Sequence, residues 1–166
     1  MTDDFIDSTR GIRITPVVAE DLPDVRHLFE EYASSLDFRL DFQNFTEELA
    51  GLPGEYAPPH GRLLLAKCDA TIAGCVALRK ISKKTCEMKR LYVRPAFRRL
   101  RIGRKLTEAI IAEAVTIGYK LIRLDTVPSM VEARRMYESL GFRDISPYRH
   151  NPIPGAQFME LNLSNG

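Results

Sequence analysis

The run CEMKRLYVRPAFRRLRIGRK, residues 86–105, changes character at its midpoint. In the first half Met88, Leu91 and Val93 are apolar, and the run reads as a strand. Pro95 ends that strand, because proline gives no backbone N–H to a ladder. A short basic loop follows, and Gly103 opens a helix. From Lys89 to Lys105 there are eight Lys or Arg and no acid, so the net charge of +2 is about +8 here and −6 elsewhere. A strand, a basic loop and a helix N-terminus in this order suggest an anion site. The first backbone N–H groups of a helix are unpaired, and the helix dipole favours negative charge beside them. On pattern alone three readings of RRLRIGRK stay open: a phosphate cradle, a nucleic-acid patch, or a solvated charged surface. Neither Gly-Lys followed by Ser or Thr nor G-x-G-x-x-G is present. The helix that follows alternates Glu108 and Glu113 with its apolar stripe, which suits DNA poorly, so no nucleic-acid partner is expected.

The rest of the chain fits one α/β domain over residues 1–166. Its 166 residues are enough to bury a core, and 45% hydrophobic with 28% charged is an ordinary globular balance. No run approaches the roughly 20 apolar residues of a membrane span. The acidic start MTDDFIDSTR lacks an apolar signal core, and residues 1–10 are expected to fray. Cys68, Cys75 and Cys86 are odd in number and lack metal-ligand spacing. They read as reduced thiols, with no metal and a cytoplasmic location. His27, His60 and His150 fall in separate elements and read as surface residues.

Periodicity supplies the elements. Gly11–Val18 predicts a first strand, and Leu22, Val25, Leu28-Phe29 and Tyr32 predict a helix ending near Ser35, with Pro23 in its first turn. Asn44 or Thr46 caps a short helix through Leu49. Arg62–Cys68, Thr71–Arg79 and Thr85–Val93 read as an antiparallel meander, because the turns between them are short. A helix over about 102–117 ends at Gly118. Tyr119–Thr126 is the next strand, and strand, helix, strand implies a parallel crossover. Ser129 with Glu132 fits a capping box for a helix ending at Gly141. Phe142–Ser146 and Phe158–Leu163 predict a terminal hairpin around the loop Pro147–Gly155. The expected whole is a mixed, mostly antiparallel central sheet flanked by helices.

Two segments then carry a resemblance. LYVRPAFRRLRIGRKL is similar to the coenzyme A pyrophosphate loop of the GNAT superfamily of N-acetyltransferases, Arg/Gln-x-x-Gly-x-Gly/Ala. Arg98, Ile102 and Gly103 match in place, while Arg101 stands where the first glycine is expected. ARRMYESLGF resembles the same family's Ala-x-x-x-Tyr-x-x-x-Gly-Phe helix and turn, carried by Ala133, Tyr137, Gly141 and Phe142. Here Met130 stands where many members have Asn, with Ser129 as a candidate replacement. The two segments lie in the family's order and separation.

The resemblance implies an acetyl-CoA-dependent N-acetyltransferase without a metal. Its pyrophosphate would lie on the backbone of Leu100, Arg101, Ile102, Gly103 and Arg104, with Arg98 and Arg99 nearby. Leu91, Tyr92 and Val93 would pair with the pantetheine like an added strand, and the Leu91 N–H would polarise the thioester carbonyl. Glu87 is implied as general base and Tyr137 as general acid. Residues 20–60 would form the variable acceptor side. Phe38, Phe42, Tyr56, Tyr148 and His150 are candidate acceptor contacts, although aromatics in such a loop also serve simply to pack on the domain. The expected partner is a small-molecule amine or a protein or peptide amine, with a second copy of the chain as a candidate partner. A non-catalytic acyl-CoA-binding module and a basic nucleic-acid-binding protein are the alternatives.

Overall fold

The meander over residues 62–93 forms as the short turns require, and the rest of the sheet is laid on either side of it. The computed structural model describes residues 11–36, 39–40 and 44–165. Its strands are β1 (Ile12–Pro16), β2 (Arg62–Cys68), β3 (Thr71–Lys80), β4 (Thr85–Val93), β5 (Leu121–Thr126), β6 (Arg143–Ile145) and β7 (Gln157–Asn162). Its helices are α1 (Leu22–Ser35), α2 (Phe45–Ala50), α3 (Ile102–Ile117) and α4 (Val131–Ser139). The sheet order is β1-β2-β3-β4-β5-β7-β6. Among the described residues, only β4 and β5 are parallel, joined through α3; the other neighbours are antiparallel.

Each face of the sheet carries its own core. On one face Ile102, Leu106, Ile110 and Ala114 of α3 are fully buried against Val76, Leu78, Met88 and Ile122. On the other, Val25, Leu28 and Phe29 of α1 pack with Leu65, Cys75, Ala77 and Tyr56. Each large apolar side chain so buried contributes about 1.5–3 kcal/mol, enough to fix the period-two register of β3 and β4. Gly118 ends α3 in the left-handed region, its N–H donating to the Ala114 carbonyl, as its position after the apolar stripe predicts.

One expectation is corrected, one is met, and some fall outside the described residues. The terminal hairpin forms as expected, with β7 lying between β5 and β6 and pairing with β5 along its whole length. The Ser129–Glu132 capping box does not form. Met130 precedes α4 with no side-chain cap, and the Met130 N–H closes a turn onto Val127 instead. Phe38, Phe42 and residues 1–10 lie outside the described residues. Among the described residues, no helix is long and apolar enough to cross a membrane.

Candidate active site

β4 and β5 touch only at their beginnings. The register pairs Thr85, Cys86 and Glu87 with Leu121, Ile122 and Arg123, and there the ladder stops. Beyond Glu87, β4 has no strand on its β5 side among the described residues. Its own course is bent by a bulge: Arg90 and Leu91 together stand opposite Val76, and Arg90 has φ +60°. β3 meets this bend closely, since a Cβ on Gly74 would lie 2.4 Å from the Tyr92 carbonyl oxygen. The gap opens a groove of about 1090 Å³, at the upper end of ligand clefts. It runs from the start of α3 (Gly103, Arg104) past Leu91 and Val93 to Tyr32 and Leu36 at the end of α1.

Arg98, Arg101, Gly103 and Arg104 line one end of this groove. Arg101 has φ +58° and ψ +27°, the left-handed conformation a glycine would take most easily. Gly103 is different: a Cβ there would meet only a Val93 methyl at 3.8 Å. The fold tolerates a side chain at 103, and its absence leaves the backbone at the α3 N-terminus open to the groove. Arg98 folds back, Nε donating to the Val93 carbonyl at 3.0 Å, and Arg104 donates to Ser139 of α4 at 2.9 Å. Ile102 is fully buried and faces the core, so only its backbone is available to a ligand; Arg99 is exposed, and neither it nor Leu100 lines the groove.

Across the groove stand Ser129, Ala133 and Tyr137. Tyr137 is buried, its ring 5.6 Å from that of Phe142. Burial pushes its phenol above the ordinary value of 10.0, so it remains protonated at neutral pH.

On the α1 and α2 side of β4 the sheet carries charge. Glu87 has no exposed surface. Arg79 Nε donates to its Oε1 at 2.8 Å; Tyr148 Oη and Arg149 donate to Oε2 at 2.5 and 2.9 Å. Burial pushes its pKa up, but the charges of Arg149 and Lys89, the Tyr148 hydrogen bond and Arg79 outweigh burial and hold the carboxyl below its ordinary value. Arg149 also donates to Asp125 at 3.0 Å. Arg90 is 4% exposed, makes a two-pronged contact with Glu48 of α2 at 2.8 and 2.7 Å, and lies over the Phe45 ring. The bulge that bends β4 is thereby tied to α2.

The candidate acceptor residues separate. Tyr56 is core, edge-on to Phe29 at 6.1 Å, and also lines a second cavity of about 540 Å³ beside Arg79, Lys89 and Arg149. Tyr148 lines neither cavity; its ring packs on Phe158 and its hydroxyl serves Glu87. His150 is exposed and lines neither cavity, whereas its neighbour Arg149 lines the second. Sequence reasoning missed Lys89, Arg90 and Arg149. The one available signal was the Lys89-Arg90 pair within an otherwise buried strand.

Comparisons with known proteins agree with this geometry. Residues 22–142 match the model of the Acetyltransferase (GNAT) family. An uncharacterized N-acetyltransferase of Schizosaccharomyces pombe is 42% identical over 147 residues, covering 87% of this chain and 90% of that protein. The IAA acetyltransferase of Azospirillum brasilense is 31% identical over 140 residues, covering 83% of this chain and 84% of its own. Among solved structures, a putative acetyltransferase from Salmonella typhimurium with its cofactor acetyl-CoA superposes with a TM-score of 0.69 at 18% identity, over 92% of this chain and 94% of that one.

Proposed function

The chain belongs to the GNAT acetyltransferase family, and from that premise we propose that it moves the acetyl group of acetyl-CoA to the primary amine of a small molecule by direct attack. The single observation that carries this reading is the gap between β4 and β5, which leaves backbone beyond Glu87 free to pair with an extended ligand. The basic N-terminus of α3 lies at one end of that gap and Tyr137 across it.

Each residue has work that its position suits. The backbone N–H groups of Ile102, Gly103 and Arg104, with Arg98 and Arg101, hold the pyrophosphate. Leu91 and Val93 pair with the pantetheine arm, and the Leu91 N–H stabilises charge on the thioester oxygen as it develops. The amine nitrogen forms a bond to the carbonyl carbon, the carbon–sulfur bond breaks, and the sulfur leaves as thiolate. The nitrogen loses a proton, and the sulfur gains one or is held by a hydrogen bond. Tyr137 supplies that hydrogen bond. Its raised pKa makes full proton transfer to a thiolate uphill, so the phenol acts as donor while the bond stretches.

Glu87 was expected to act as base. Its burial and its contacts to Arg79, Arg149 and Tyr148 favour another role. A carboxylate so held is ionised but weakly basic, and an acceptor would have to displace Arg149 or Tyr148 to reach it. We assign to Glu87 the positioning of those two side chains, with the amine proton passing to water in the groove.

Thiol release from acetyl-CoA, followed across pH, tests both roles. Tyr137→Phe is expected to lower kcat by about 100-fold. Glu87→Gln is expected to change KM for the acceptor while leaving the shape of the pH profile unaltered. Loss of an acidic limb from the kcat/KM profile in Glu87→Gln would return the base role to Glu87.

A further inference from the structure

The second cavity and the groove share a wall, and Lys89 lines both. We propose that the second cavity is the subsite for a carboxylate carried by the acceptor, received by Lys89 with Arg149, so that the acceptor is an amino acid or a closely related amine bearing an acid group. The proposal rests on the acetyltransferase reading above and names the substrate class of that same site.

The argument is one of unmatched charge. Among the described residues, the other charges around this cavity are largely paired with one another. Arg79 is held by Glu87 and Glu55, Arg90 by Glu48, and one nitrogen of Arg149 by Glu87 and Asp125. Glu47, on the first turn of α2, is an exposed acid on the rim. The Lys89 side chain makes no hydrogen bond or ion pair within 4.0 Å among the described residues, although it is only partly exposed on a central strand. Arg149 lines the same cavity, and its Nε, buried behind the lining, lacks a hydrogen-bond partner. A half-buried ammonium left without a partner, beside a guanidinium whose own hydrogen bonding is incomplete, is costly unless something anionic completes it. The effect on Lys89 is visible. Burial and the charges of Arg90 and Arg149 push its pKa down from 10.5 to about 8, although Glu87 and Glu48 pull the other way. An anion beside Nζ would reverse that push.

Position supplies the rest. Lys89 is two residues before Leu91 on the same strand and lies at the junction of the two cavities. A carboxylate bound at the junction would hold an amine a few bonds away toward the groove, where the thioester is read to lie. At this junction Lys89 repels a purely cationic amine.

The test is thiol release from acetyl-CoA with matched acceptors that share one amine: an amino acid, its amide, and the amine lacking the acid group. The expected result is that the acid form leads the amide in kcat/KM by about 10- to 100-fold, the range of one charge-assisted contact. In Lys89→Met that ratio should collapse toward one, through KM for the acid form, and Lys89→Arg should restore part of it. Equal use of acid and amide by the unaltered protein would overturn the proposal, as would a Lys89→Met effect confined to the KM of acetyl-CoA. Peptide mapping after incubation with acetyl-CoA alone supplies a further check: acetyl found on Lys89 would make it a nucleophile and overturn the anchor role. Release with carboxylate-free amines only defeats this proposal and leaves the transferase reading intact, whereas no release with any amine defeats both.

Discussion

The two sides of β4 solve different problems. The side toward α3 and α4 keeps backbone available: the strand departs from β5 after Glu87, Gly103 leaves the start of α3 bare, and Arg101 and Arg104 line the groove beside it. The side toward α1 and α2 does the reverse. There Arg79, Arg149 and Tyr148 hold Glu87, Glu48 holds Arg90, and β4 is pinned at its bulge. An open groove beside a bent strand is a weak arrangement unless the bend is held from behind. The paired charges behind it are thus a structural complement to the open face, and Lys89, the cation they leave over, lies where the two meet.

The largest expected effect falls on the closed side. Glu87→Ala leaves Arg79 and Arg149 each short of a buried partner, and breaking such a contact typically costs about 3–5 kcal/mol. Thermal denaturation should show a Tm lower by about 10 °C. The pH dependence has a definite sign. A carboxylate whose folded pKa is depressed adds stability that is complete above its unfolded value near 4.3 and is lost as pH falls through the lower folded value. The gap in stability between the unaltered protein and Glu87→Ala should therefore narrow in acid below about pH 4. A cost under about 1 kcal/mol, the scale of an exposed pair, would break the contrast between the two sides.

The open side was far more legible in the sequence than the closed one, for a physical reason. The cradle is local: strand, Pro95, basic loop and helix start are consecutive, so one stretch of chain contains all the geometry that makes it. The same holds for the meander, whose short turns dictate antiparallel neighbours, and for Gly118 at the end of α3. The closed side is assembled from β3, β4, α2 and the loop before β7, and no spacing rule links Arg90 to Glu48 or Glu87 to Tyr148, 42 and 61 residues apart. For Glu87 the sequence reveals the carboxylate but not the two guanidinium groups on it, so the contacts that weigh against a base role were not legible. The capping box failed for a similar reason: its spacing was right, but the turn onto Val127 delays the start of α4.

A smaller effect sharpens the comparison from the open side. Arg98→Ala and Arg104→Ala remove charge from partly solvated positions. Arg98 donates to the Val93 carbonyl and lies over the Tyr92 ring at 5.9 Å; Arg104 donates to the Ser139 hydroxyl and lies 3.7 Å from Glu108. Each should weaken acetyl-CoA binding by about two- to fivefold at low salt, the worth of one solvent-exposed charge contact. The loss should shrink as salt screens the site. Tm should move by no more than about 2 °C, in line with exposed positions generally. Titration calorimetry at two salt concentrations reads the affinity, and a melting curve reads the stability. A large fall in Tm with little change in affinity would mean that this side, too, is built for stability.

Arg101→Gly gives the smallest effect and separates backbone from side chain at one position. With φ +58° and ψ +27°, Arg101 occupies a conformation that costs an ordinary residue about 1–2 kcal/mol relative to the right-handed region. Glycine removes that strain but adds freedom to the unfolded chain, so the net gain should be about 0.5–1 kcal/mol, or a Tm rise of about 2 °C. The guanidinium makes no hydrogen bond or ion pair among the described residues, so little folded-state contact is lost with it. It lines the groove, and its removal should weaken acetyl-CoA binding by a few-fold. Opposite signs in the two measurements, stability up and affinity down, would identify Arg101 as a residue kept in a strained conformation for its charge. A gain in both would mean that the cradle is formed by the backbone alone.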